Sequence, residues 1–460
     1  MTDLPAASGS ALDLIGATPM VEVTKIDTGL CRLFLKLENQ NPGGSIKDRI
    51  ARSMIEAAEK DGTLKPGGTI IEATAGNTGL GLAQVATLKG YKLILIVPDK
   101  MAREKILHLR AMGVDVRITR SDVGKGHPEY YQDMAQTIAQ GIPGSLYVNQ
   151  FENPANPLAH ETTTGPEILQ QMGGDLDAMV VGVGSGGTLT GLGRYFKRMS
   201  PKTQMILADP VGSILYDYVN TGTYGEAGSW IVEGIGEDFI PLNAQMDLVS
   251  KAYAISDRES VETARELLQK EGILAGSSSG TLLAAALKYC REQTEPKRVV
   301  SLVCDTGAKY LTKMFNDLWV SAHGFEDRTP RGDLSDLIAK RYSDGGVITI
   351  GPDDTLLTAY NRMRSADISQ LPVVEHGKLV GILDESDVLS AVAKAGDGEG
   401  FATKVGSAMT RNVHTLESHQ PLSVLEPVFA RDEVAVVMDG DELLGLITRV
   451  DLINHLRRTA

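Results

Sequence analysis

The sequence predicts an α/β protein with largely parallel sheets, followed by a smaller α/β module built from two repeats. Three observations support this fold class. Short β-branched apolar runs alternate with longer amphipathic stretches from residue 33 to about residue 318. With 460 residues, the chain is too long for a single domain of ~100–200 residues. Beyond Trp319, two similar segments follow each other at a constant spacing.

The order of the predicted elements indicates βαβ units. The predicted strands are 33–37, 69–72, 92–97, 114–119, 178–183, 204–208 and 298–304. The predicted helices between them are 46–60, 79–89, 102–112 and 160–172. Strands separated by helices are typical of a buried parallel sheet, in which ligands bind where strand C-terminal ends meet helix N-termini. We therefore expect functional residues in the loops that follow strands.

Composition and charge exclude several classes of protein. The formal net charge of −14 argues against non-specific nucleic-acid binding, which needs a basic surface. Apolar residues make up 42% and charged residues 23%, so global disorder is not expected. The longest apolar runs, such as 93–97, fall far short of the ~18 residues that span a bilayer, and the N-terminus shows no secretory signal. Because Cys31, Cys290 and Cys304 have neither disulfide-framework nor zinc spacing, we expect a cytoplasmic protein without a metal site.

The C-terminal part contains an internal repeat. Residues 371–389 align without gaps on residues 435–453, so that Asp387 meets Asp451. Each copy predicts a strand, a turn, a second strand and a helix, and the two copies would cover each other's apolar faces. A polar stretch with Gly and Pro precedes them and predicts a linker. The predicted domains are 1–320, a linker 321–336, and repeats 337–395 and 400–460.

The loop 41–49, Asn-Pro-Gly-Gly-Ser-Ile-Lys-Asp-Arg, precedes a predicted helix. Asn-Pro-Gly-Gly predicts a turn, Ser45 is a suitable N-cap, and Lys47 then lies in the first helical turn. The positive end of the helix dipole and burial would both lower the pKa of Lys47 and free its amine for Schiff-base chemistry. On this motif alone, a solvated surface lysine remains an alternative.

The loop 72–79, Glu-Ala-Thr-Ala-Gly-Asn-Thr-Gly, lies between a predicted strand and a predicted helix. Its glycines allow close approach of the backbone to a ligand, and its N–H groups could bind an anion such as a carboxylate. The amide of Asn77 could bond a ring oxygen. Alone, the loop could equally be a turn with a helix cap.

The loop 184–188, Gly-Ser-Gly-Gly-Thr, directly follows an apolar strand and predicts a phosphate site. Backbone N–H donors, a hydroxyl and a helix N-terminus all suit a dianion. The loop lacks the Gly-Lys-Ser/Thr ending of a nucleotide-triphosphate P-loop and the final glycine of a dinucleotide motif, so it favours a single phosphomonoester. A tight turn without a ligand remains an alternative.

A fourth loop, Gly-Ser-Ser-Ser-Gly at 276–280, precedes another predicted helix. Serine-rich turns before helices are usually caps, so this loop carries little weight by itself. The order and spacing of all four loops together are more specific than any one of them.

Together, these loops resemble those of fold-type II pyridoxal-phosphate enzymes of the cysteine synthase and cystathionine β-synthase group. The resemblance covers about residues 10–320 and implies a tryptophan synthase β-like fold with two parallel-sheet subdomains. The C-terminal repeats resemble the paired CBS domains that regulate eukaryotic members of the group. The motifs that carry the resemblance are NPGGSIKDRI (41–50), TAGNTG (74–79), QFENPANPLAH (150–160), TTGPEI (163–168), GSGGT (184–188), VEGIGEDFIP (232–241) and GSSSG (276–280).

The resemblance assigns a cofactor, pyridoxal 5′-phosphate, to this chain. It implies that Lys47 binds the cofactor covalently and acts as catalytic base, and that Asn77 bonds the ring's 3′ oxygen. Ser278 would face the pyridine nitrogen; a neutral hydroxyl there makes the cofactor a weak electron sink and favours prompt β-elimination. The phosphate would bind to Gly184, Ser185, Gly186, Gly187 and Thr188.

The implied reaction is a β-replacement on an amino acid. Serine plus homocysteine, giving cystathionine in transsulfuration with hydrogen sulfide-producing side reactions, is the expected pair of substrates. An O-acetylserine sulfhydrylase, a more distant serine or threonine dehydratase, and an adenosyl-nucleotide sensor on a degenerate scaffold are the alternatives. The substrate residues implied by the family motifs are Thr74, Ala75, Gly76, Thr78, Gln150 and Gly234.

The CBS resemblance implies a regulatory ligand, S-adenosylmethionine or an adenine nucleotide. Thr448 and Asp451 fit the ribose-binding pattern in the second repeat, whereas the first repeat has Asp387 with Asp384 in place of the hydroxyl residue. Both aspartates could instead only cap helices. By analogy with the group, we expect a haem-free homodimer or homotetramer.

Overall fold

The structure is a computed structural model that describes residues 7–74, 76–99, 101, 103–325, 331–395 and 399–459. The chain divides into two compact units, Met1–Met314 and Phe315–Ala460. None of the described helices is both long and apolar enough to cross a bilayer.

The first unit contains two sheets. Its strands are β1 (Met20–Glu22), β2 (Arg32–Leu37), β3 (Thr69–Ala73), β4 (Lys92–Pro98), β5 (Asp115–Thr119), β6 (Leu146–Tyr147), β7 (Ala178–Val181), β8 (Gln204–Pro210), β9 (Lys251–Ile255) and β10 (Arg298–Val303). The larger sheet has the order β1-β2-β10-β7-β8-β9, and the smaller has the order β5-β4-β3-β6. Pairing is parallel throughout except between β1 and β2, so the predicted α/β class with two parallel-sheet subdomains is confirmed.

Helices connect and cover these strands. They are α1 (Lys47–Asp61), α2 (Asn77–Lys89), α3 (Arg103–Ala111), α4 (Tyr131–Gly141), α5 (Ala155–Ala159), α6 (Gly165–Gln171), α7 (Gly187–Met199), α8 (Leu215–Thr221), α9 (Asp257–Glu271) and α10 (Ser277–Arg291). The long helices bury an apolar face; α9, for example, packs against α10 and buries Val261, Ala264 and Leu267. A glycine in the left-handed region, such as Gly272 with φ +73°, ends several of these helices.

The sequence predicted the buried strands better than the short or edge ones. All seven predicted strands are present with shifted ends. Most of them carry a run of apolar residues that a two-sided parallel sheet must bury, whereas β5, at the edge of the smaller sheet, is only partly buried. β1 and β6 were not predicted, since runs of three and two residues show no periodicity. β9, the edge of the larger sheet, was also missed.

One predicted helix has an unexpected interior. The prediction of a single helix over 160–172 is wrong in its first turn, where His160–Thr164 form a π-helical turn between α5 and α6. π-Turns inside helices reorient side chains and are frequent at functional sites. Here the turn places the ring of His160 in the interior of the unit.

The ends of these elements converge on one region of the first unit. The C-terminal ends of β3, β7 and β10 lead into segments 74–76, 182–186 and 304–306. The backbone of Ser45, just before α1, pairs with Asp305 after β10, and Ala275, before α10, pairs with Thr306. The segments that precede α1 and α10 are thereby joined to the segment that follows β10.

The second unit contains the two repeats. Its elements are α11 (Asp317–Ala322), α12 (Leu356–Ala366), β11 (Gln370–Glu375), β12 (Lys378–Asp384), α13 (Glu385–Ala395), α14 (Val405–Ala408), β13 (Thr415–Glu417), α15 (Leu425–Phe429), β14 (Ala435–Asp439), β15 (Glu442–Ile447) and α16 (Arg449–Thr459). β11, β12 and α13 correspond to β14, β15 and α16, which confirms the predicted strand, turn, strand and helix of each copy. Both hairpins are antiparallel with one register shift, at Val373/Val374 and at Val437/Met438.

Part of the predicted linker 321–336 is ordered within the second unit. Residues 326–330 lie outside the described residues. Leu334–Leu337 form a 3₁₀ helix whose two leucines are buried in the core of the second repeat. Its backbone also pairs with the segment after β13, since Leu334 N donates to Gln420 O at 3.0 Å. Leu334 and Leu337, at the end of the predicted linker, therefore fill a hydrophobic core of the second unit.

Candidate active site

Lys47 is the first residue of α1 and follows a tight turn. The N–H of Gly44 donates to Asn41 O at 2.7 Å, which closes that turn. The N-cap residue is Ile46 rather than the predicted Ser45. Ser45 still supplies a capping hydrogen bond, since its Oγ accepts the Lys47 N–H at 3.2 Å. Lys47 therefore lies at the helix start, as predicted.

The environment of the Lys47 amine favours its neutral form. Its side chain is partly accessible. Desolvation lowers the pKa of Lys47, and the nearby groups of Cys304, Asp305 and Glu237 oppose that shift without reversing it. A lysine with a lowered pKa is a better nucleophile and proton acceptor than an exposed lysine at the same pH.

The loop between β3 and α2 presents backbone rather than side chains. Thr74 is buried, and its hydroxyl accepts the Gly76 N–H at 3.2 Å. Gly76 has φ +129°, and a Cβ there would lie 2.5 Å from Lys105 Cδ, so only glycine fits. Ala75 lies outside the described residues. Free N–H groups at the start of α2 suit the carboxylate predicted to bind here.

Two predicted substrate residues meet through a hydrogen bond. The Thr78 hydroxyl donates to Gln150 Oε1 at 2.7 Å across 72 residues of sequence. Behind them, Glu72 accepts the N–H of Ala73 at 2.7 Å and of Gln150 at 3.1 Å. Burial raises the pKa of Glu72 to about 8. Glu72 was not predicted to have a role, although its position as an acidic residue in an apolar strand could have indicated a functional role.

The segment 184–188 has the shape that a phosphate site requires. Gly186 has φ +83°, and α7 starts at Gly187. A Cβ on Gly184 would lie 2.5 Å from Gly234 O, and a Cβ on Gly187 would lie 1.8 Å from Asn156 Oδ1. The backbone can therefore take this path only with glycine at these positions. The segment fits a phosphate monoester, because its N–H groups and the positive end of α7 lie together.

The loop that carries Gly234 covers this segment. Gly234 has φ +91°, and its carbonyl faces Gly184. The adjacent Glu233 is fixed by Lys105 and Lys313, each at 2.7 Å. Burial alone would raise the pKa of Glu233, but the two lysines lower it overall. The ion pairs hold the loop in place.

The two side chains of the predicted phosphate loop have partners of their own. Asn156 Nδ2 donates to Ser185 Oγ at 2.9 Å, and Thr188 Oγ1 lies 3.3 Å from His160 Nε2. His160 Nδ1 lies 3.0 Å from Thr164 Oγ1. Burial, and secondarily nearby cations, lower the pKa of His160 well below its usual value, so the ring is neutral. His160 belongs to a family motif, but the sequence analysis gave it no ligand-directed role.

Ser278 is buried in the first turn of α10. Its neighbour is Cys304, the residue after β10, and the two side chains are hydrogen-bonded. Burial raises the pKa of Cys304 to about 12 despite the nearby charge of Lys47, so the thiol is protonated. Ser278 and Cys304 thus offer neutral polar groups, as the resemblance implies for the partner of a pyridine nitrogen.

Asn77, the first residue of α2, contacts two charged residues that the sequence analysis did not identify. Its Nδ2 donates to Asp305 Oδ2 at 2.7 Å, and its Oδ1 accepts from Lys309 Nζ at 2.9 Å. The position of Asp305 just after a predicted strand could have indicated it. Lys309, farther along, carried no such signal.

The predicted regulatory residues lie in the second unit. The structure brings Thr448 and Asp451 together: Asp451 Oδ2 accepts the Thr448 N–H at 2.7 Å and its hydroxyl at 2.6 Å. In the first repeat, Asp384 and Asp387 cap α13 reciprocally, with donor–acceptor distances of 3.2 and 2.7 Å. Asp387 and Asp451 therefore both accept a backbone N–H at the start of a helix, and a role for them in ligand binding stays a prediction.

Replacing Gly187 with alanine is expected to weaken cofactor binding about 5- to 150-fold. The new methyl group would meet Asn156 Oδ1 at 1.8 Å, and such overpacking costs about 1–3 kcal/mol. Titration of cofactor-free protein with pyridoxal phosphate, followed by absorbance, measures the effect. Gly141→Ala is the matched control, since a Cβ at Gly141 meets nothing within 4 Å. Equal affinities of the two variants would contradict the phosphate assignment.

Comparison with known protein families agrees with this geometry. Residues 11–305 match the family described as pyridoxal-phosphate dependent enzyme. Residues 339–394 and 405–458 each match the CBS domain. The residues around Lys47, Asn77 and the 184–188 segment all lie within the first match.

Curated relatives extend over the whole chain or over its first unit. A cystathionine beta-synthase of Dictyostelium discoideum is 36% identical over 97% of this chain and 92% of its own length. That of Mus musculus is 39% identical over 99% of this chain and 87% of its own. Cysteine synthase A of Escherichia coli is 41% identical, but over 66% of this chain and 94% of its own.

Solved structures resemble the enzyme part. An O-acetylserine dependent cystathionine beta-synthase from Helicobacter pylori is 38% identical with a TM-score of 0.62, covering 67% of this chain and 99% of that one. A hydrogen sulfide-producing enzyme from Fusobacterium nucleatum is 36% identical with a TM-score of 0.62, covering 66% and 100%. The chain therefore belongs to the pyridoxal-phosphate dependent enzymes, in the cystathionine beta-synthase family, and carries two CBS domains after the enzyme domain.

Proposed function

We propose that this enzyme condenses L-serine with L-homocysteine to L-cystathionine. The observation that carries the proposal is the extent of similarity: relatives named cystathionine beta-synthase match 97% or more of the chain, CBS domains included. Cysteine synthase A matches 66% of it. Among the curated relatives compared above, those that extend over the CBS domains are named cystathionine beta-synthase.

The residues around Lys47 support a base that takes a proton from substrate. When bound, pyridoxal phosphate withdraws electrons from the substrate, so that the α-hydrogen becomes acidic and the β-substituent can leave. Lys47 is assigned to the cofactor on the resemblance, and its lowered pKa supports a role in accepting the α-proton. Asp305 and Glu237 lie within electrostatic reach and would stabilise the ammonium that results.

The substrate carboxylate is assigned to the 74–79 loop and Gln150. The start of α2 supplies N–H donors, and the Thr78–Gln150 hydrogen bond fixes both side chains beside them. A carboxylate held there would orient the α-hydrogen towards Lys47. Ala75, which lies outside the described residues, is assigned to the same loop on the resemblance alone.

Serine requires that its leaving group be protonated in this site, whereas O-acetylserine does not. Hydroxide is a poor leaving group and must be protonated, and Lys47 can donate the proton that it has just taken. The thiol of homocysteine then adds at the β-carbon, and Lys47 can take the thiol proton and return it to the α-carbon. With hydrogen sulfide as acceptor or product, the same groups would support sulfide chemistry of the kind for which the Fusobacterium nucleatum enzyme is named.

Product analysis tests the proposal. The enzyme is offered serine with homocysteine, O-acetylserine with sulfide, and O-acetylserine with homocysteine, and products are identified by mass spectrometry. We expect the highest kcat/KM for serine with homocysteine. A higher kcat/KM for O-acetylserine with sulfide would identify a cysteine synthase, which the 41% identity to the Escherichia coli enzyme keeps as the second candidate. The Lys47→Ala variant supplies the blank.

For the second unit, we propose an adenosyl ligand at Thr448 and Asp451. The threonine hydroxyl and the aspartate carboxylate lie 2.6 Å apart and could together bind ribose hydroxyl groups. In the first repeat, Asp384 occupies the threonine position and adds a second carboxylate, which would repel a ligand phosphate. S-adenosylmethionine, with its positive sulfonium, is the favoured ligand.

Asp451→Asn is expected to weaken binding of this ligand about tenfold or more. Asparagine is as good a helix cap as aspartate, so α16 should persist while the charged acceptor is lost. Calorimetric titration with S-adenosylmethionine, AMP and ATP measures the effect, with Asp387→Asn as the matched variant in the first repeat. Unchanged heats for Asp451→Asn, in protein that binds a ligand, would show that Asp451 is only a cap.

We also propose that the chain forms a homodimer or homotetramer, as expected for this group of enzymes. The apolar side chains exposed on α16, Val450, Ile453 and Leu456, are compatible with burial between copies. Sedimentation velocity over a range of concentrations measures the assembly. A monomer at micromolar concentration would contradict the proposal.

A further inference from the structure

The amide of Asn77 lies between two buried residues of opposite charge. Asp305, fully buried, accepts from Asn77 Nδ2 at 2.7 Å. Lys309, 7% exposed, donates to Asn77 Oδ1 at 2.9 Å. These partners come from the segment after β10, more than 200 residues farther along the chain than Asn77. Apart from the electrostatic effect of Asp305 on Lys47, neither residue takes part in the reaction proposed for this site.

The two contacts allow one orientation of the amide. An ammonium can only donate hydrogen bonds, and an ionised carboxylate can only accept them. A flipped amide would turn its NH₂ towards the ammonium of Lys309 and its oxygen towards the carboxylate of Asp305, leaving buried charged groups unsatisfied. In the observed orientation one N–H of Nδ2 is used by Asp305, and the second remains for another acceptor.

Both charged residues are themselves fixed. Lys309 Nζ also donates to Gly43 O at 3.0 Å and to Gly44 O at 3.3 Å, in the turn that leads to Lys47. Asp305 Oδ2 also accepts from the hydroxyl of Tyr310 at 2.7 Å. Asp305 and Lys309 therefore connect Asn77 to the turn before Lys47.

We propose that Asp305 and Lys309 are positioning residues that orient the Asn77 amide, so that its second N–H donates to the ring oxygen of the cofactor. This inference rests on the proposed binding of the cofactor by Lys47 and Asn77. It assigns Lys309 an effect on the cofactor that passes through Asn77 and disappears when that amide is removed, whereas Asp305 also acts on Lys47 directly.

Absorbance of the bound cofactor tests the proposal, because the hydrogen bond to the ring oxygen changes the electron distribution of the ring. The measurement compares the wild type with Lys309→Met, and Asn77→Ala with the double variant Asn77→Ala/Lys309→Met. We expect Lys309→Met to change the ratio of the absorbance bands and to weaken cofactor binding about three- to tenfold, the value of one hydrogen bond. In the Asn77→Ala background we expect no further change.

Asp305→Asn provides a second, nearly isosteric variant if Lys309→Met does not fold. It should change the spectrum as Lys309→Met does. An amide at position 305 can both donate and accept hydrogen bonds, so it no longer favours one orientation of the Asn77 amide. Lys270→Met, which removes a surface lysine paired with Glu266, is the control and should leave the spectrum unchanged.

Three results would overturn the proposal. The first is a spectrum that is unaffected in Lys309→Met and Asp305→Asn. The second is a change that persists undiminished in the Asn77→Ala background, which would mean that the charge acts directly on the ring. The control could also change the spectrum as much as Lys309→Met does. Failure of the proposed cofactor binding looks different: the cofactor would then be absent from the Lys47 peptide after borohydride reduction in the wild type itself.

Discussion

Replacing Lys47 with alanine is expected to abolish covalent attachment of pyridoxal phosphate and to lower kcat by about 10²–10⁴-fold or more. The variant loses the one amine that lies at the start of α1, beside Cys304 and Asp305, and whose pKa desolvation lowers. The measurements are absorbance of the bound cofactor and peptide mapping after borohydride reduction. In the wild type, the reduced adduct should lie on the peptide that contains residue 47.

A second buried lysine makes this mapping informative. Burial lowers the pKa of Lys309 to about 8, so this amine is partly neutral near physiological pH. An adduct that persists in Lys47→Ala, on Lys309 or elsewhere, would contradict the assignment of Lys47. Lys60→Ala is the matched control on the same helix, since Lys60 is exposed in the last turn of α1. It should keep both the adduct and the activity.

Replacing Arg49 with methionine is expected to lower the free energy of unfolding of the first unit by about 3–5 kcal/mol, the cost of leaving a buried charge unpaired. Arg49 Nε and Nη2 bind the two oxygens of Glu38 at 2.7 and 2.8 Å, and both side chains are almost completely buried. Arg49 also binds Glu167 at 2.7 Å through two nitrogens. Denaturant unfolding measures the loss.

The pH dependence of stability should change as well. Burial alone would raise the pKa of Glu167, but Arg49 outweighs it and lowers that pKa to about 2, from the usual 4.5. A lowered carboxyl pKa contributes stability above pH 4.5, which is lost as the pH falls towards 2. Arg49→Met should therefore reduce the loss of stability between pH 4.5 and pH 2.

The control for Arg49 is an exposed ion pair in the same unit. Arg120, about half exposed, pairs with Asp122 at 2.8 Å, and its replacement by methionine should cost less than ~1 kcal/mol. A similar loss for Arg49→Met and Arg120→Met would contradict the structural role given to the buried cluster. Because Asn41 donates to Glu38 at 2.9 Å, the cluster also supports the turn before Lys47.

Patterns of neighbouring residues made much of the fold predictable. Most of the seven predicted strands appear because a run such as Leu93–Val97 is apolar on both faces and must be buried on both. The tandem repeat was equally visible, since two copies of one unit need the same apolar positions. The short π-turn at His160–Thr164 and the ordered end of the linker were not visible, because both depend on what packs against them.

The sequence by itself determined the order of the four loops, the glycines that only a close backbone approach explains, and the lysine at the start of α1. These are local features, set by residues a few positions apart. Only the tertiary structure decided which side chains surround them. Asp305 and Lys309 reach Asn77, and His160 reaches Thr188, because parallel strands bring their C-terminal ends together regardless of distance along the chain. The charges and protonation states at the site follow from that packing, since burial and partner charges, and not residue type alone, set a pKa.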